Sequence, residues 1–362
     1  MIICIELLNN IESVCALLFI HGGKGSDIIR GGGGEDVLYG NSGQNTFSNT
    51  ADGSIDIINI QCEQQSSKKR RWIDPKTDDT TSTMAVKASK IAIERSGLKK
   101  NDIDFIVFAT LSPDMYFPGG GVRVQDMLDM PTIGALDVRN QCSGFIYALS
   151  VADQFIKTGM YKNILVIGSE NHSGGLDKST RGRGVTVIFG DGAGAAVLSR
   201  SKQKGKGILS SHLYSEGKHA RELMMDGPHT GRWIPEILKE NDPNDESYYP
   251  YMNGQFVFKH AVTRFSEAIV DGLEANNLKS ENIDILIPHQ ANLRITQFIQ
   301  RKFKLTDEKV YNNIMKYGNT TAASVIIALT EAWEKGKIKE NDLVVLAAFG
   351  AGFTWGSVIL RW

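Results

Sequence analysis

One stretch of the chain decides its fold class: Asp137-Val138-Arg139-Asn140-Gln141-Cys142-Ser143-Gly144-Phe145-Ile146-Tyr147-Ala148-Leu149. An apolar strand pattern ends in this stretch and a helical pattern of small residues begins, with a single cysteine at the junction. A cysteine at a helix N-terminus meets unpaired backbone N–H groups and the positive end of the helix dipole, which favour the thiolate. Cys142 is therefore a candidate nucleophile, and a buried structural cysteine is the alternative that this stretch alone leaves open.

Strand and helix patterns alternate on both sides of this junction. Met84–Ser96 and Gly119–Leu128 have the apolar periodicity of helices, whereas Ile103–Thr110 and Thr132–Val138 have the composition of buried strands. Because parallel strands need helical crossovers, this alternation predicts an α/β fold with helices on both faces of the sheet.

Two regions of the chain also share one pattern. Asn101–Val107 resembles Glu281–Ile287, and the helix predicted over Ser143–Lys157 resembles the one predicted over Thr321–Lys335. Each of these helices leads to a strand and then to a Phe-Gly motif. A duplicated pair of α/β halves places equivalent helix N-termini face to face at a pseudo-twofold axis, and Cys142 opens one of these helices.

The composition is that of a globular protein with a large core. The chain has 362 residues, 41% hydrophobic content and a formal net charge of −1. Its four cysteines form no C-x-x-C pair, so neither a zinc site nor a disulfide framework is predicted, and a reducing, cytoplasmic compartment is expected. No signal peptide or membrane span is predicted, because polar residues interrupt the apolar stretches at the front.

The first 65 residues differ from the rest in charge and in pattern. They are acidic, so the remainder of the chain is net basic, and they contain three glycine-rich segments of nine residues, Gly22–Arg30, Gly31–Tyr39 and Gly40–Ser48. The pattern resembles the calcium-binding nonapeptide repeat of RTX proteins, which implies a short β-roll-like segment over about residues 22–48. It also implies calcium ligands at Asp27 and Asp36, whereas a flexible glycine linker is the alternative.

We place a domain boundary near residue 66, where the composition becomes ordinary. The predicted units are residues 1–65, an N-terminal half at 66–200 and a C-terminal half at 201–362. The basic run Lys68–Arg71 is interpreted as solvated, since no aromatic residues are interleaved with it, and binding to nucleic acid is not predicted.

Three further motifs carry a family resemblance. They are Phe189-Gly190-Asp191-Gly192-Ala193-Gly194-Ala195-Ala196, Ile287-Pro288-His289-Gln290-Ala291-Asn292-Leu293-Arg294-Ile295 and Tyr317-Gly318-Asn319-Thr320-Thr321-Ala322-Ala323-Ser324. With Cys142 and the C-terminal Gly352-Phe353-Thr354-Trp355-Gly356, they make residues 70–362 resemble the β-ketoacyl-acyl-carrier-protein synthase III family, of the thiolase fold. The resemblance implies a duplicated five-layer αβαβα architecture.

The resemblance also implies the residues of the site. Cys142, His289 and Asn319 match the family's catalytic Cys-His-Asn set, and the amides of Cys142 and Ala351 match its oxyanion hole. Ala351 stands where the family usually has glycine, which keeps the N–H but adds a methyl group near the pocket. The resemblance also assigns roles to six further residues. It implies that coenzyme A and the acyl group are bound by Arg183, Phe117, Asn292 and Gly352, where Phe117 reaches across a homodimer interface and Asn292 orients the histidine. It implies that acyl carrier protein docks on Arg294 and Lys259.

The implied reaction is the first condensation of fatty acid synthesis. An acyl group moves from acyl-CoA to Cys142 and is then condensed with malonyl-ACP after loss of CO2, with no cofactor required. No cysteine follows Cys142, which argues against degradative thiolases, and Asn319 argues against the chain-elongating relatives, which carry a histidine there. A related acyl transfer in specialised, polyketide-like metabolism stays open.

The front of the chain departs from the family pattern. The family's first strand and its Trp-Arg clamp for the coenzyme A nucleotide are missing, which predicts that the first strand region is replaced. The first sheet therefore lacks a strand unless Ile55–Ile60 fills the position. A fused fragment with impaired catalysis is the second alternative, and removal of residues 1–65 is expected to leave acyl transfer no worse.

Overall fold

The computed structural model describes residues 70–228 and 245–362, together with the backbone of five short strands between residues 4 and 49. Within these residues, strands β1 to β15 are Cys4–Leu7, Phe19–His21, Ile28–Gly31, Val37–Tyr39, Thr46–Asn49, Phe105–Ala109, Gly134–Val138, Asn163–Glu170, Gly192–Ser199, Gly207–Ser215, Leu223–Met224, Tyr251–Met252, Ile285–Pro288, Leu343–Gly350 and Thr354–Arg361. Helices α1 to α8 are Thr81–Ser96, Gly120–Met127, Gly144–Lys157, Arg183–Thr186, Gly254–Glu274, Leu293–Lys302, Ile314–Tyr317 and Ala323–Glu334.

Two mixed sheets form the centre of the molecule. The first sheet has the strand order β1-β9-β8-β6-β7, and the second has the order β10-β15-β14-β13. In the first sheet β6 is parallel to β7 and β8, while β9 is antiparallel to β8 and β1. The second sheet repeats this arrangement, since β13 is parallel to β14, and β15 is antiparallel to β14 and β10. The predicted duplication is thus present in the sheet topology.

The duplication holds at the level of single residues. The pairing of β8 with β9 covers eight positions, from Asn163 to Glu170, and the pairing of β14 with β15 covers eight positions, from Leu343 to Gly350. The last residues of the two central strands, Glu170 and Gly350, are therefore equivalent.

The core is divided into layers by the alternation of side chains along the buried strands. In β8, Ile164 and Val166 face the layer between the sheets, whereas Leu165 and Ile167 face the outer layer. Helices α3 and α8 fill the layer between the sheets, α1 and α2 cover the first sheet, and α5 and α6 cover the second. The predicted five-layer αβαβα thiolase fold is confirmed.

Local chemistry explains the ends of α1. The Thr80 hydroxyl accepts a hydrogen bond from the Thr83 backbone N–H, and the Thr83 hydroxyl accepts one from the Thr80 N–H, which completes a capping box. The helix ends at Gly97, whose φ of 72° is left-handed and costs glycine little.

The edge strand of the first sheet comes from the extreme front of the chain. Cys4–Leu7 pairs antiparallel with β9, in the position that β10 occupies in the second sheet. The expectation that the position is empty or is filled by Ile55–Ile60 needs correction, and residues 55–60 themselves lie outside the described residues. Residues 4–7 belong to the first sheet, although the sequence analysis assigned them to a separate segment.

The glycine-rich repeats form the backbone pattern of a β-roll. β2 pairs in parallel with β4, with Phe19 opposite Val37, and β3 pairs in parallel with β5, with Ile28 opposite Thr46. Successive strands therefore alternate between two small sheets, and one turn of the coil uses two nonapeptides. This pairing confirms the nine-residue period, whereas the predicted calcium ligands Asp27 and Asp36 lie outside the described residues.

Among the described residues, no helix combines the length and the hydrophobicity that crossing a membrane requires.

Candidate active site

The nucleophile loop lies between β7 and α3. A short 3-10 helix, Gln141–Ser143, leads directly into α3, and Gln141 has a left-handed φ of 43°. The Ser143 hydroxyl lies 2.7 Å from that of Thr354, at the start of β15. The junction predicted from the sequence therefore places Cys142 between the two halves.

Burial governs the ionisation of Cys142. The side chain is 7% exposed, and its desolvation, together with the negative charge of Glu170, raises the pKa of the thiol to about 12. Burial therefore opposes the thiolate that the helix N-terminus was expected to favour, and the neutral thiol is the resting form. The backbone N–H groups of Cys142 and Ala351 both donate toward the sulfur, and these are the two amides expected to form an oxyanion hole.

Gly350 permits the close approach of β14 to this loop. A Cβ atom at Gly350 would lie 2.7 Å from the Cys142 Cβ and 3.2 Å from its Sγ. Sequence reasoning did not single this residue out as part of the site, although it lies in the Phe349–Gly352 motif.

His289 follows β13 and is fixed through its backbone and through one ring nitrogen. Its N–H donates to the Ala347 carbonyl at 2.8 Å, and its Nδ1 lies 2.5 Å from the Ser324 hydroxyl. The Nε2 atom is buried and has no hydrogen-bond partner among the described residues. Burial lowers the pKa of His289 to about 3, so the imidazole is neutral at physiological pH.

Asn319 is held in a loop that contacts the Phe-Gly motif of the first half. Its N–H donates to the Ile188 carbonyl at 2.9 Å, and its own carbonyl accepts from Gly190 at 3.0 Å. The side-chain Oδ1 accepts the Thr321 N–H at 2.8 Å, which leaves the NH2 group available to a ligand. Gly190 is required here, since a Cβ would lie 2.2 Å from the Tyr317 carbonyl oxygen.

One cavity of about 530 Å³ brings the three predicted catalytic residues together. Cys142, His289 and Asn319 all line it, although they are far apart in sequence. A second cavity of about 300 Å³ also touches Cys142 and is lined by apolar residues that include Leu223 and Met225. The nucleophile therefore lies between two cavities.

The predicted binding residues lie at different distances from these cavities. Asn292 and Arg294 line the larger cavity, and Gly352 lines the smaller one. The Asn292 Oδ1 accepts the Arg294 N–H at 2.9 Å and caps α6, whereas the side chain bonded to His289 is Ser324. The orienting contact of the histidine is thus made by a residue that the sequence analysis did not select.

The other predicted residues lie on the surface. Lys259 is exposed on α5, Arg183 is exposed at the start of α4 and lines neither cavity, and Phe117 is 81% exposed. The structure does not bring these three side chains to the reacting centre.

Glu170 is a buried acid that sequence reasoning missed. Its carboxylate accepts from the backbone N–H groups of Leu111, Ser112 and Ala322, the last at 3.4 Å, and burial raises its pKa to about 7. A lone Glu at a strand end gives no sequence signal, because only the fold places it against a second helix N-terminus.

The fold and this geometry define the class: a thiolase-fold protein with a Cys-His-Asn site between two equivalent halves. Models of the 3-oxoacyl-[acyl-carrier-protein] synthase III and of its C-terminal region match residues 136–217 and 273–362. The chain is 46% identical over 295 residues to the β-ketoacyl-[acyl-carrier-protein] synthase III of Caldanaerobacter subterraneus subsp. tengcongensis, covering 82% of this chain and 86% of that relative. This chain belongs to the 3-oxoacyl-[acyl-carrier-protein] synthase III family.

Solved structures agree with this assignment. The 3-oxoacyl-[acyl-carrier-protein] synthase III of Aquifex aeolicus VF5 superposes with a TM-score of 0.75 at 39% identity, covering 83% of this chain and 90% of that one. The priming β-ketosynthase of the R1128 polyketide pathway superposes with a TM-score of 0.71 at 29% identity, covering 81% and 84%. At the front, residues 19–47 match the RTX calcium-binding nonapeptide repeat.

Proposed function

We propose that this protein is an acyltransferase that loads an acyl group onto Cys142 and condenses it with a malonyl carrier-protein thioester, which initiates fatty acid synthesis. The observation that carries the proposal is the convergence of Cys142, His289 and Asn319 on one cavity, together with the buried, unpartnered Nε2 of a neutral His289. Membership of the synthase III family supports the same reaction.

In the first half-reaction the Cys142 sulfur attacks the thioester carbonyl of acyl-CoA. The carbonyl oxygen becomes an oxyanion, and the amides of Cys142 and Ala351 are placed to donate to it. Loss of one such donor typically costs about 3 kcal/mol of transition-state stabilisation. As the intermediate collapses, the carbon–sulfur bond to coenzyme A breaks, and the departing thiolate takes the proton of the Cys142 thiol.

In the second half-reaction a malonyl thioester loses CO2 and forms an enolate. The negative charge develops on the thioester oxygen, where His289 and the Asn319 NH2 group supply neutral donors. The enolate carbon then attacks the acyl-Cys142 carbonyl and releases a β-ketoacyl thioester. This chemistry uses side chains and backbone amides of the chain itself, with acyl-CoA and malonyl-ACP as substrates.

The mouth of the larger cavity suits an acidic carrier protein. Arg294 is exposed and lines that mouth, and Lys259 is exposed on α5, the helix whose Gln255 and Phe258 line the same cavity. Basic side chains around an entrance steer an acidic partner toward it. Under this proposal both residues affect the rate of association more than the chemistry.

The proposal includes a homodimer. Phe117 and Tyr116 are 81% and 64% exposed and lie just before α2. The first N–H groups of α2, those of Gly120 and Gly121, donate to Asp137 on β7, which is the outer strand of the first sheet. Exposed aromatic side chains beside an unpaired strand edge are typical of an interface, and two copies joined here would form one continuous sheet. Sedimentation or light scattering gives the mass, and a monomer would contradict this part.

The RTX segment is proposed to bind calcium weakly. A β-roll buries a continuous face only when several turns stack, and three repeats with one degenerate copy provide little such surface. The proposal also includes a cytoplasmic location, where the thiol of Cys142 stays reduced.

A second candidate function is acyl transfer in specialised metabolism, which the likeness to a polyketide priming β-ketosynthase favours. The two functions differ in the acyl group and not in the site. A fused chain with impaired catalysis is the third candidate.

One experiment separates these candidates. The protein is mixed with acetyl-, butyryl- and octanoyl-CoA, the acyl-enzyme is measured as intact mass, and malonyl-ACP is then added to release a β-ketoacyl product. We expect loading at Cys142 and release with malonyl-ACP. Loading by only one unusual acyl group favours specialised metabolism, and no loading by any thioester contradicts the proposed function.

A further inference from the structure

The ring of His289 is contacted by protein on only one of its nitrogens. Nδ1 lies 2.5 Å from the Ser324 Oγ, in the first turn of α8, while Nε2 is buried and has no partner among the described residues. His289 is one of the residues that line the larger cavity. Both residues are buried, with 2% of His289 and 1% of Ser324 exposed. The contact therefore forms without competing water.

The surroundings of Ser324 favour one direction for this hydrogen bond. The Gln290 backbone N–H donates to the same Oγ at 3.4 Å, so the serine oxygen already accepts one hydrogen bond from the main chain. Its own hydroxyl proton is then free to rotate toward Nδ1. A neutral imidazole carries one proton, and when Nδ1 accepts a hydrogen bond that proton lies on Nε2.

The equivalent positions in the first half lack this contact. Ser324 occupies the helix position that Gly144 has in the first half, and His289 occupies the position of Ala109 at the end of β6. A Cβ placed on Gly144 would lie 3.3 Å from the Ala109 Cβ, so the two positions also face each other there. The Ser324 hydroxyl and the His289 imidazole are thus present in one half only, at positions that face each other in both halves.

We propose that Ser324 is a positioning residue that holds the proton of His289 on Nε2, so that the ring acts as a donor to the enolate oxygen and not as a base for Cys142. The inference rests on the proposed function and adds a residue to it. One consequence is that the proton of the Cys142 thiol leaves with the coenzyme A thiolate, since Nε2 has no lone pair to receive it. Ser324 should then matter for decarboxylation and not for acyl loading.

The first test compares Ser324→Ala with Ser324→Thr in the full chain. We measure the rate of acyl loading from acetyl-CoA by intact mass and the rate of CO2 release from malonyl-ACP. Without the hydroxyl, CO2 release should fall about tenfold, which is the effect of losing one buried hydrogen bond, while loading is unchanged. The threonine variant keeps the hydroxyl and should restore CO2 release.

Ser89→Ala is the matched control. Ser89 is a fully buried helix serine whose hydroxyl donates to the Ala85 carbonyl at 2.7 Å, far from the cavities. This control separates the loss of any buried helix hydroxyl from the loss of the one beside His289. Equal losses of loading and CO2 release in Ser324→Ala, or no loss of either, would overturn the inference.

The second test needs no variant. In wild-type protein labelled with 15N-histidine, Nε2 of His289 should have the chemical shift of a protonated ring nitrogen and Nδ1 that of an unprotonated one. The opposite pattern would refute the role of Ser324 even if the variants do not fold. Failure of the wild type to load an acyl group refutes the proposed function instead, so the two failures are distinguishable.

Discussion

The junction that carries Cys142 and its counterpart in the second half share one backbone. Gln141 and Thr321 have left-handed φ values of 43° and 49°, and each is followed by the first turn of a central helix. Cys142 therefore corresponds to Ala322. The two helix N-termini face each other, since a Cβ on Gly144 would lie 3.4 Å from the Ala322 Cβ.

The two junctions differ in what the neighbouring strand places against the helix. Gly350 ends β14 beside Cys142 and leaves the amide there open, whereas Glu170 ends β8 and its carboxylate accepts the Ala322 N–H. Helix N-termini bind anions. One half places the Glu170 carboxyl group there, whereas the other half places a glycine there, where we propose that a substrate oxyanion binds. The comparison teaches that one duplicated backbone makes a closed structural site or an open reactive one, depending on a few side chains.

The largest effect is expected when Cys142 is replaced by alanine, which is the residue at the equivalent position, 322, of the second half. Cys142→Ala should abolish acyl-enzyme formation, because Cys142 lines the cavity and is the one cysteine within residues 70–228 and 245–362. Intact mass after incubation with acetyl-CoA measures this. Acyl mass retained on the folded variant would show that the nucleophile lies elsewhere.

The second-largest effect is expected at His289 and Asn319, two residues that only the second half carries. His289→Ala and Asn319→Ala should still be acylated, while CO2 release from malonyl-ACP falls about a hundredfold or more, because each supplies a donor to charge that develops in the second half-reaction. Both rates are measured on the same preparations. Equal loss of the two half-reactions would contradict this division of labour.

Filling the space beside Cys142 with a methyl group should have a smaller effect. Gly350→Ala puts a methyl group within 2.7 Å of Cys142 and should slow acyl loading about tenfold, with a loss of about 1–3 kcal/mol in the free energy of unfolding. Gly175→Ala is the control, since an added Cβ there has no neighbour within 4 Å. Similar behaviour of the two variants would refute a steric role for Gly350.

The edge strands offer a third comparison, because β1 occupies the position of β10. Deleting residues 1–65 removes β1 and should lower the free energy of unfolding by about 1–3 kcal/mol through loss of pairing with β9. This prediction concerns stability, whereas the expectation from the sequence was that the deletion leaves acyl transfer at Cys142 no worse. Removing only residues 19–49 takes out the β-roll and should leave stability unchanged in urea denaturation, so equal losses in the two deletions would show that β1 contributes nothing.

The smallest effect concerns the charge of Glu170. Its carboxylate raises the pKa of the Cys142 thiol, since a nearby negative charge disfavours the thiolate. Glu170→Gln removes that charge, so alkylation of Cys142 by iodoacetamide should begin at lower pH than in wild type. Glu267→Gln, at an exposed ion pair, is the control, and an unchanged or higher midpoint in Glu170→Gln would contradict the coupling.

Local sequence was sufficient for most of the architecture. The predicted strand at Ile103–Thr110 and the helix at Ser143–Lys157 agree with β6 and α3 within two residues, because long apolar runs and helical periodicity are local signals. The nine-residue repeats likewise predicted the β-roll pairing. The edge strand was missed, because Cys4–Leu7 is short and its partner β9 is distant in the chain.

The sequence by itself determined the α/β class, the duplication and, through its motifs, the identities of Cys142, His289 and Asn319. Only the tertiary structure decided their physical state, because the thiol pKa depends on burial and on Glu170, which no spacing in the chain reveals. The same holds for Gly350, which the packing of the two halves brings against Cys142, and for Ser324, which the fold of the second half brings to 2.5 Å from His289. A sequence records which residues are present, whereas desolvation and close contact are properties of the folded arrangement alone.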